Sequence, residues 1–231
     1  MENNHKFLLD SDVAKANSKN YEVHATNETI KDIVDEYLNK YGNDANLNNI
    51  DVSHVTDMSM VFYNKDFIGD VSEWDVSNVE IFRSMFQGCK NFNSDISKWD
   101  VHNGESFDSM FAWCRSFNSD ISTWDVSSGK YFSGMFLNCH ALDQNFSKWN
   151  MKTAESTSDM FCKCFDFTGK GLDKWKLPKV KDISFMFYYC RSLDVDLSGW
   201  SISNKVTRTS YYDECPCLQK SFDKRPEIHV D

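Results

Sequence analysis

Tryptophan returns at Trp74, Trp99, Trp124, Trp149, Trp175 and Trp200, at steps of 25, 25, 25, 26 and 25 residues. Other columns keep the same step. Val61-Phe62 opens a column continued by Met85-Phe86, Met110-Phe111, Met135-Phe136, Met160-Phe161 and Met186-Phe187, and Tyr211-Tyr212 closes it. Cys89, Cys114, Cys139, Cys164, Cys190 and Cys215 form another. Residues 92–101, FNSDISKWDV, return as 117–126, FNSDISTWDV, with one letter changed. A unit this short cannot bury its own apolar side, so a chain built from copies must stack them into one continuous core. The expectation is a solenoid of about seven coils of about 25 residues, with Phe92 over Phe117 and Trp99 over Trp124.

Within one coil, the stretch Ser94–Lys98 centres on Ile96 and is predicted as a short parallel strand, edge-paired to its equivalent in the next coil. In Gly104–Trp113 and the Cys114 that follows it, Phe107, Met110, Phe111 and Cys114 fall at i, i+3, i+4 and i+7, which predicts a short amphipathic helix. The class is therefore α/β. The first copy is one residue short near Lys65-Asp66, and the fifth is one residue long at Thr168-Gly169-Lys170-Gly171. Length changes in solenoids fall in turns, so both places are expected to be turns. Residues 28–41 carry Ile30, Ile33, Val34 and Leu38 on one face, with Asn27 or Thr29 at the start. They predict a helix that closes the apolar end under Ile50 and Val52. The organisation read from these patterns is an N-terminal extension and capping helix over 1–49, a repeat solenoid over 50–218 and a tail over 219–231.

The pooled phrase FNSDISKWDVSNVxxMxxMFxxC resembles the BspA-like leucine-rich repeat family, found in bacterial and mycoplasma surface proteins and in protists and large DNA viruses. The resemblance covers about residues 28–218 and rests on D-I-S-x-W-D-V and M-F-x-x-C recurring together. It implies a right-handed solenoid of β and helical segments with a binding or structural role, and no activity.

The formal charge is −10. Such a chain repels phosphate backbones and anionic lipid surfaces, so neither nucleic acid nor membrane insertion is expected. The first residues, MENNHKFLLDSDVAK, hold no apolar run like that of a secretory signal, and no stretch reaches the roughly 18 apolar residues of a membrane span. The expected location is the cytoplasm, with a virion as the alternative. In a reducing compartment the eight cysteines are expected to be thiols. The six columnar ones should be buried, with Cys162 and Cys217 more exposed.

The six histidines, His5, His24, His54, His102, His140 and His229, form no H-E-x-x-H pattern. There is no G-x-S-x-G, phosphate-binding loop or dinucleotide fingerprint. Cys139-His140 is adjacent in sequence, but Cys139 belongs to the core column. The C-x-C pairs Cys162/Cys164 and Cys215/Cys217 lie two coils apart, too far to share a zinc ion. No enzyme activity, cofactor or metal is expected. Two acidic columns are present: Asp70, Asp95, Asp120, Asn145 and Asp196 before the Trp, and Asp75, Asp100, Asp125 and Asn150 after it. Turn chemistry accounts for such residues. Stacked carboxylates could hold calcium, but the G-G-x-G-x-D turns of a calcium-binding β-roll are missing.

With Ile96 pointing inward, Asp95 and Ser97 are expected to point outward. Stacking turns them into a stripe of Asp70/Ser72, Asp95/Ser97, Asp120/Ser122, Asn145/Ser147 and Asp196/Ser198, suited to a basic or amide-rich protein partner. The function expected is protein–protein interaction through a solenoid face, the alternative being a structural subunit of an assembly such as a virion.

Overall fold

The structure is a computed structural model and describes residues 21–220 and 225–229. The expected extension up to residue 20 and much of the tail lie outside the described residues. At the N-terminal end, β1 (Val23–His24) pairs in parallel with β2 (Ile50–Asp51), in the register Val23 to Ile50. The helix α1 (Ile30–Tyr41) follows, with Thr29 at its N-cap position and Ile30, Ile33 and Val34 buried. Asp32 in its first turn and Lys40 in its last suit the helix dipole. Gly42, at φ 91°, ends it by donating to the Leu38 carbonyl. Lys65 stands where later coils place Cys, and it pairs with Asp35 of α1. Unit-to-unit pairing starts before residue 50: Ile68 donates to Asn43, and Leu47 to Asp70.

From there the units stack in sequence order. Single parallel bridges link Asp57 to Ile81, Ile81 to Ser106, Ser106 to Tyr131, Tyr131 to Ser156, Ser156 to Asp182 and Asp182 to Thr207. Near the end of the stack, β3 (Ser201–Ser203) pairs in parallel with β4 (Glu227–His229), and α2 (Pro216–Lys220) lies between them in sequence. The rung that repeats is thus a bridge at Ser106 and its equivalents. The strand expected at Ser94–Lys98 is absent: that stretch is a turn.

The expected helix at Gly104–Trp113 is also absent. Its backbone N–H groups alternate between two partners. Phe107, Ser109, Phe111 and Trp113 donate to Tyr131, Ser133, Met135 and Leu137 of the next unit. Between them, Met110, Ala112 and Cys114 donate three residues back within their own unit. Ser109 (φ 55°) and Trp113 (φ 66°) are left-handed, and every unit repeats the pair four residues apart, as at Ser84/Gly88 and Gly134/Asn138. Left-handed residues occur singly and cannot continue a helix. Two consecutive turns therefore bring the apolar residues inward at the same spacing that a helix would.

The buried apolar residues from Ala25 to Leu218, Ala112 and Cys162 excepted, form one cluster. Ring stacks run along it. Trp99 and Trp124 have centroids 6.4 Å apart at 5°, Phe92 and Phe117 6.1 Å at 5°, and Phe86 and Phe111 5.7 Å at 3°. Each columnar Trp indole N–H donates to a carbonyl of the preceding unit: Trp74 to Leu47, Trp99 to Val71, Trp124 to Ile96, Trp149 to Ile121, Trp175 to Phe146 and Trp200 to Leu172, over 2.7–3.2 Å. This requirement selects Trp over Phe in the column, because a buried carbonyl without a partner costs about 1–3 kcal/mol. The Cys column does the same with sulfur. Cys114 donates to Phe86, Cys139 to Phe111 and Cys164 to Phe136 at 2.9–3.0 Å.

None of the eight cysteines is in a disulfide. The six columnar ones are buried, and Cys217 is half-buried. Cys162 is a correction: it is buried too, at 5% exposure, because it follows the first of the two turns, in the place Ala112 fills two repeats earlier in the stack. Burial pushes the Cys89 thiol up to about 12 and Cys162 to about 11, and it raises Cys114 and Cys139 well above the ordinary range.

Trp99→Ala should destabilise by about 3–5 kcal/mol and Trp99→Phe by about 1–3 kcal/mol, whereas Lys98→Ala should stay within about 0.5 kcal/mol. Equal urea midpoints for all three would show that the indole column does not hold the stack. The folded state keeps the columnar thiols protonated, while unfolding frees them to ionise near about 8.5. Their contribution is complete below that pH and is lost as pH rises toward about 12. Midpoints measured from pH 8 to 11 should therefore fall, and Cys217 should label before Cys114 or Cys139.

Candidate functional site

The stripe residues sit in turns. In each, the side-chain oxygen of the first residue accepts the backbone N–H two positions on: Ser72 to Asp70 (2.9 Å), Ser97 to Asp95 (3.0 Å), Ser122 to Asp120 (2.9 Å), Ser147 to Asn145 (3.0 Å) and Ser198 to Asp196 (2.9 Å). These are Asx turns, and they correct the expected pleated strand. Asp95, Asp120, Asn145 and Asp196 remain exposed, while Asp70 and the serines Ser72, Ser97, Ser122 and Ser198 are half-buried. Ser147 is exposed. The stripe therefore offers carboxylate edges more than hydroxyls.

Hydrogen bonds from Ser97, side chain first and then backbone, hold the Asp95 carboxyl below its usual range, and Ser122 does the same for Asp120. The neighbouring carboxylate of each opposes this, Asp70 acting on Asp95 and Asp95 on Asp120. The acids are thus close enough along the stack to feel one another and remain ionised. Asp70, Asp95, Ser72 and Ser94 line one shallow depression of about 400 Å³ above Gly69.

The stripe has an extra member and a break. Asn46 accepts the N–H of Asn48 (2.9 Å) and donates to Asp70 (3.0 Å), extending the row one unit toward α1. Its signal was N-L-x-x-I-D-V at 46–52, which parallels D-V-x-x-W-D-V at 70–76 without the Trp. In the fifth copy Gly171 takes the Asp position. It is left-handed (φ 85°), and a Cβ there would lie 2.2 Å from the Ser147 nitrogen. The added residue is absorbed by a single 3-10 turn at Leu172–Lys174. Asp196 is therefore separated from Asn145 by a unit that carries no acid in this place.

The column after the Trp uses the same turn. Asp75 accepts from Ser77, Asp100 from His102, Asp125 from Ser127 and Asn150 from Lys152. Among the described residues, no three His, Cys, Asp or Glu side chains converge as a metal site would require. Cys139 and His140 do not make a nucleophile–base pair. The Cys139 thiol is fully buried and donates to the Phe111 carbonyl, whereas the His140 ring packs on Phe165 at 4.5 Å. No described helix is long and apolar enough to cross a membrane.

Asp95→Asn keeps the oxygen that accepts the Ser97 N–H, as Asn145 does in its own unit, and should lower the thermal midpoint only slightly at neutral pH. Asp95→Ala removes the acceptor and should cost about 0.5–1 kcal/mol, the low end for a solvated bond. The depressed carboxyls contribute stability that is complete above about pH 4 and is lost as pH falls below it. Acid midpoints compared between the parent and the Asn variants should show a smaller loss for the variants.

Three overlapping segments, residues 29–139, 66–175 and 130–224, match the family model described as "Mycoplasma protein of unknown function, DUF285". No curated protein and no solved structure matches the chain. The matched segments run without a gap from residue 29 to residue 224, and the chain belongs to this repeat family.

Proposed function

We propose that the chain is a non-enzymatic, right-handed solenoid that binds a protein partner along the row Asn46, Asp70, Asp95, Asp120 and Asn145. The observation that carries this reading is the row itself. Five successive units hold an Asx-turn side chain at the same place. Because the turns are hydrogen-bonded before any partner arrives, little side-chain freedom remains to be lost on binding. Three adjacent ionised carboxylates favour a basic or amide-rich segment and speed its encounter at low salt. The depression at Asp70 and Asp95 is where such a segment would seat a side chain. The likeness of the W-D-V and M-F-x-x-C elements to BspA-like repeats supports a binding role over a chemical one.

The test is the triple substitution Asp70→Asn, Asp95→Asn and Asp120→Asn, which removes three charges and retains every turn acceptor. Binding of a fluorescein-labelled (Lys-Gln)6 peptide should fall roughly tenfold, with a thermal midpoint only slightly lowered at neutral pH. Equal affinity of parent and variant at 50 and 300 mM salt would rule the row out as the binding face.

A further inference from the structure

The corner that carries the Cys column has a composition unlike the rest of the surface. The four residues from Cys−2 to Cys+1 read QGCK at 87–90, AWCR at 112–115, LNCH at 137–140, CKCF at 162–165 and YYCR at 188–191. In a chain with a net charge of −10, these five successive segments hold Lys90, Arg115, Lys163 and Arg191 and no acid. The flanking units differ, with Asp66 at one end and Asp213-Glu214 at the other.

The backbone makes this one continuous ridge. Gly88 donates to Ala112, Trp113 to Leu137, Asn138 to Cys162 and Lys163 to Tyr188. One place further on, Ser116 donates to Lys90, Ala141 to Arg115 and Asp166 to His140. Side chains from successive units then meet. The His140 ring packs on Phe165 at 4.5 Å, tilted by 31°, and the Arg191 guanidinium lies 5.3 Å from the Phe165 ring and 5.5 Å from that of Tyr189. A guanidinium placed near ring faces in this way can still offer N–H groups to a carboxylate.

Trp113 is the second, independent observation. It is left-handed at φ 66° and 41% exposed. The equivalent places hold Asn64, Gly88 and Asn138, residue types that accept this conformation readily, and also Lys163, Tyr189 and Glu214, so that Trp113 is the bulkiest side chain in the column. A bulky residue there costs about 1–2 kcal/mol, and its exposure means that packing in the isolated chain returns little of it. The left-handed backbone is required in every unit, so what sets Trp113 apart is a large, exposed ring at a place where Gly or Asn would fold at lower cost.

We propose that the Cys-corner ridge, from Lys90 to Arg191 with Trp113 at its centre, is a second docking surface that takes an acidic protein segment bearing aromatic or apolar side chains. Charge complementarity selects an anionic partner. A protein segment fits better than a nucleic-acid strand because the rings of His140, Phe165 and Tyr189 already face one another or Arg191. Bases need open ring faces to stack on, and along the ridge Trp113 is the aromatic with large exposure. This surface is separate from the Asp–Asn row and stands or falls without it.

Fluorescence anisotropy with a labelled (Glu-Glu-Tyr)4 peptide tests the assignment, with a labelled (dT)12 strand as competitor class. The parent should bind the peptide saturably and more weakly as salt rises. Arg115→Glu with Arg191→Glu should weaken it roughly tenfold or more, and Trp113→Gly should weaken it while leaving the thermal midpoint equal or higher. The triple Asn variant of the acidic row should bind this peptide as the parent does, which separates the two surfaces. Absence of saturable binding, equal affinity in the Arg115/Arg191 variant, or tighter binding of (dT)12 than of the peptide would each overturn the proposal.

Discussion

Every second N–H along the Met–Phe corner bonds the next unit instead of its own turn, and the architecture depends on that division. Phe107, Ser109, Phe111 and Trp113 reach up the stack, while Met110, Ala112 and Cys114 close turns in place. Buried backbone groups must all be partnered. In an isolated unit the outward half of these donors would have no acceptor but water. The Trp indole and the Cys thiol extend the same logic to side chains, each donating to a carbonyl one unit down. Hydrophobic stacking alone would tolerate slippage between units. A directional bond at each Trp and each Cys sets the register, with rings such as Trp99 and Trp124 lying within 5° of parallel.

The columns were legible in the sequence because burial and one specific bond both act on the same residue. Trp99 must be large, apolar and an N–H donor, and few residues satisfy all three. The local conformation was harder to read. Phe107, Met110, Phe111 and Cys114 carry the spacing of a helical face, but two consecutive turns produce that spacing too. The distinguishing signal was Gly88, Gly134 and Asn138 at the left-handed places, and Trp113 and Tyr189 mask it. The bridging rung was not legible at all. Ile81, Ser106, Tyr131, Ser156 and Asp182 share no chemistry, because a single-residue bridge uses only the backbone.

The same contrast runs through the surface. The acidic row was found in the sequence because turn chemistry repeats it, and that is also why half of its oxygens are engaged with their own backbone. The exposed side of the Cys-corner ridge is not legible in the sequence because no single residue type recurs in every unit of it. Lys90, Arg115, His140, Phe165 and Arg191 form a column only in the sense that none is acidic. Periodicity reports what folding demands of every unit. Where the fold leaves a position unconstrained, unit-to-unit variation is the informative quantity, and a large, exposed Trp113 is a stronger sign there than any repeated Asp.

The pairing of Lys65 with Asp35 carries a further consequence. It matches α1 to the first unit alone, by replacing the Cys that every later unit places there. The ring contacts between the units of Phe86, Phe111 and Phe136 carry no such address. Phe86 meets Phe111 as Phe111 meets Phe136, at 5.7 and 5.8 Å and within 5° of parallel. A gene that gains or loses one of these regular units therefore leaves both ends intact and changes the reach of the molecule. Length becomes a digital trait, adjustable in whole steps without any redesign of the core.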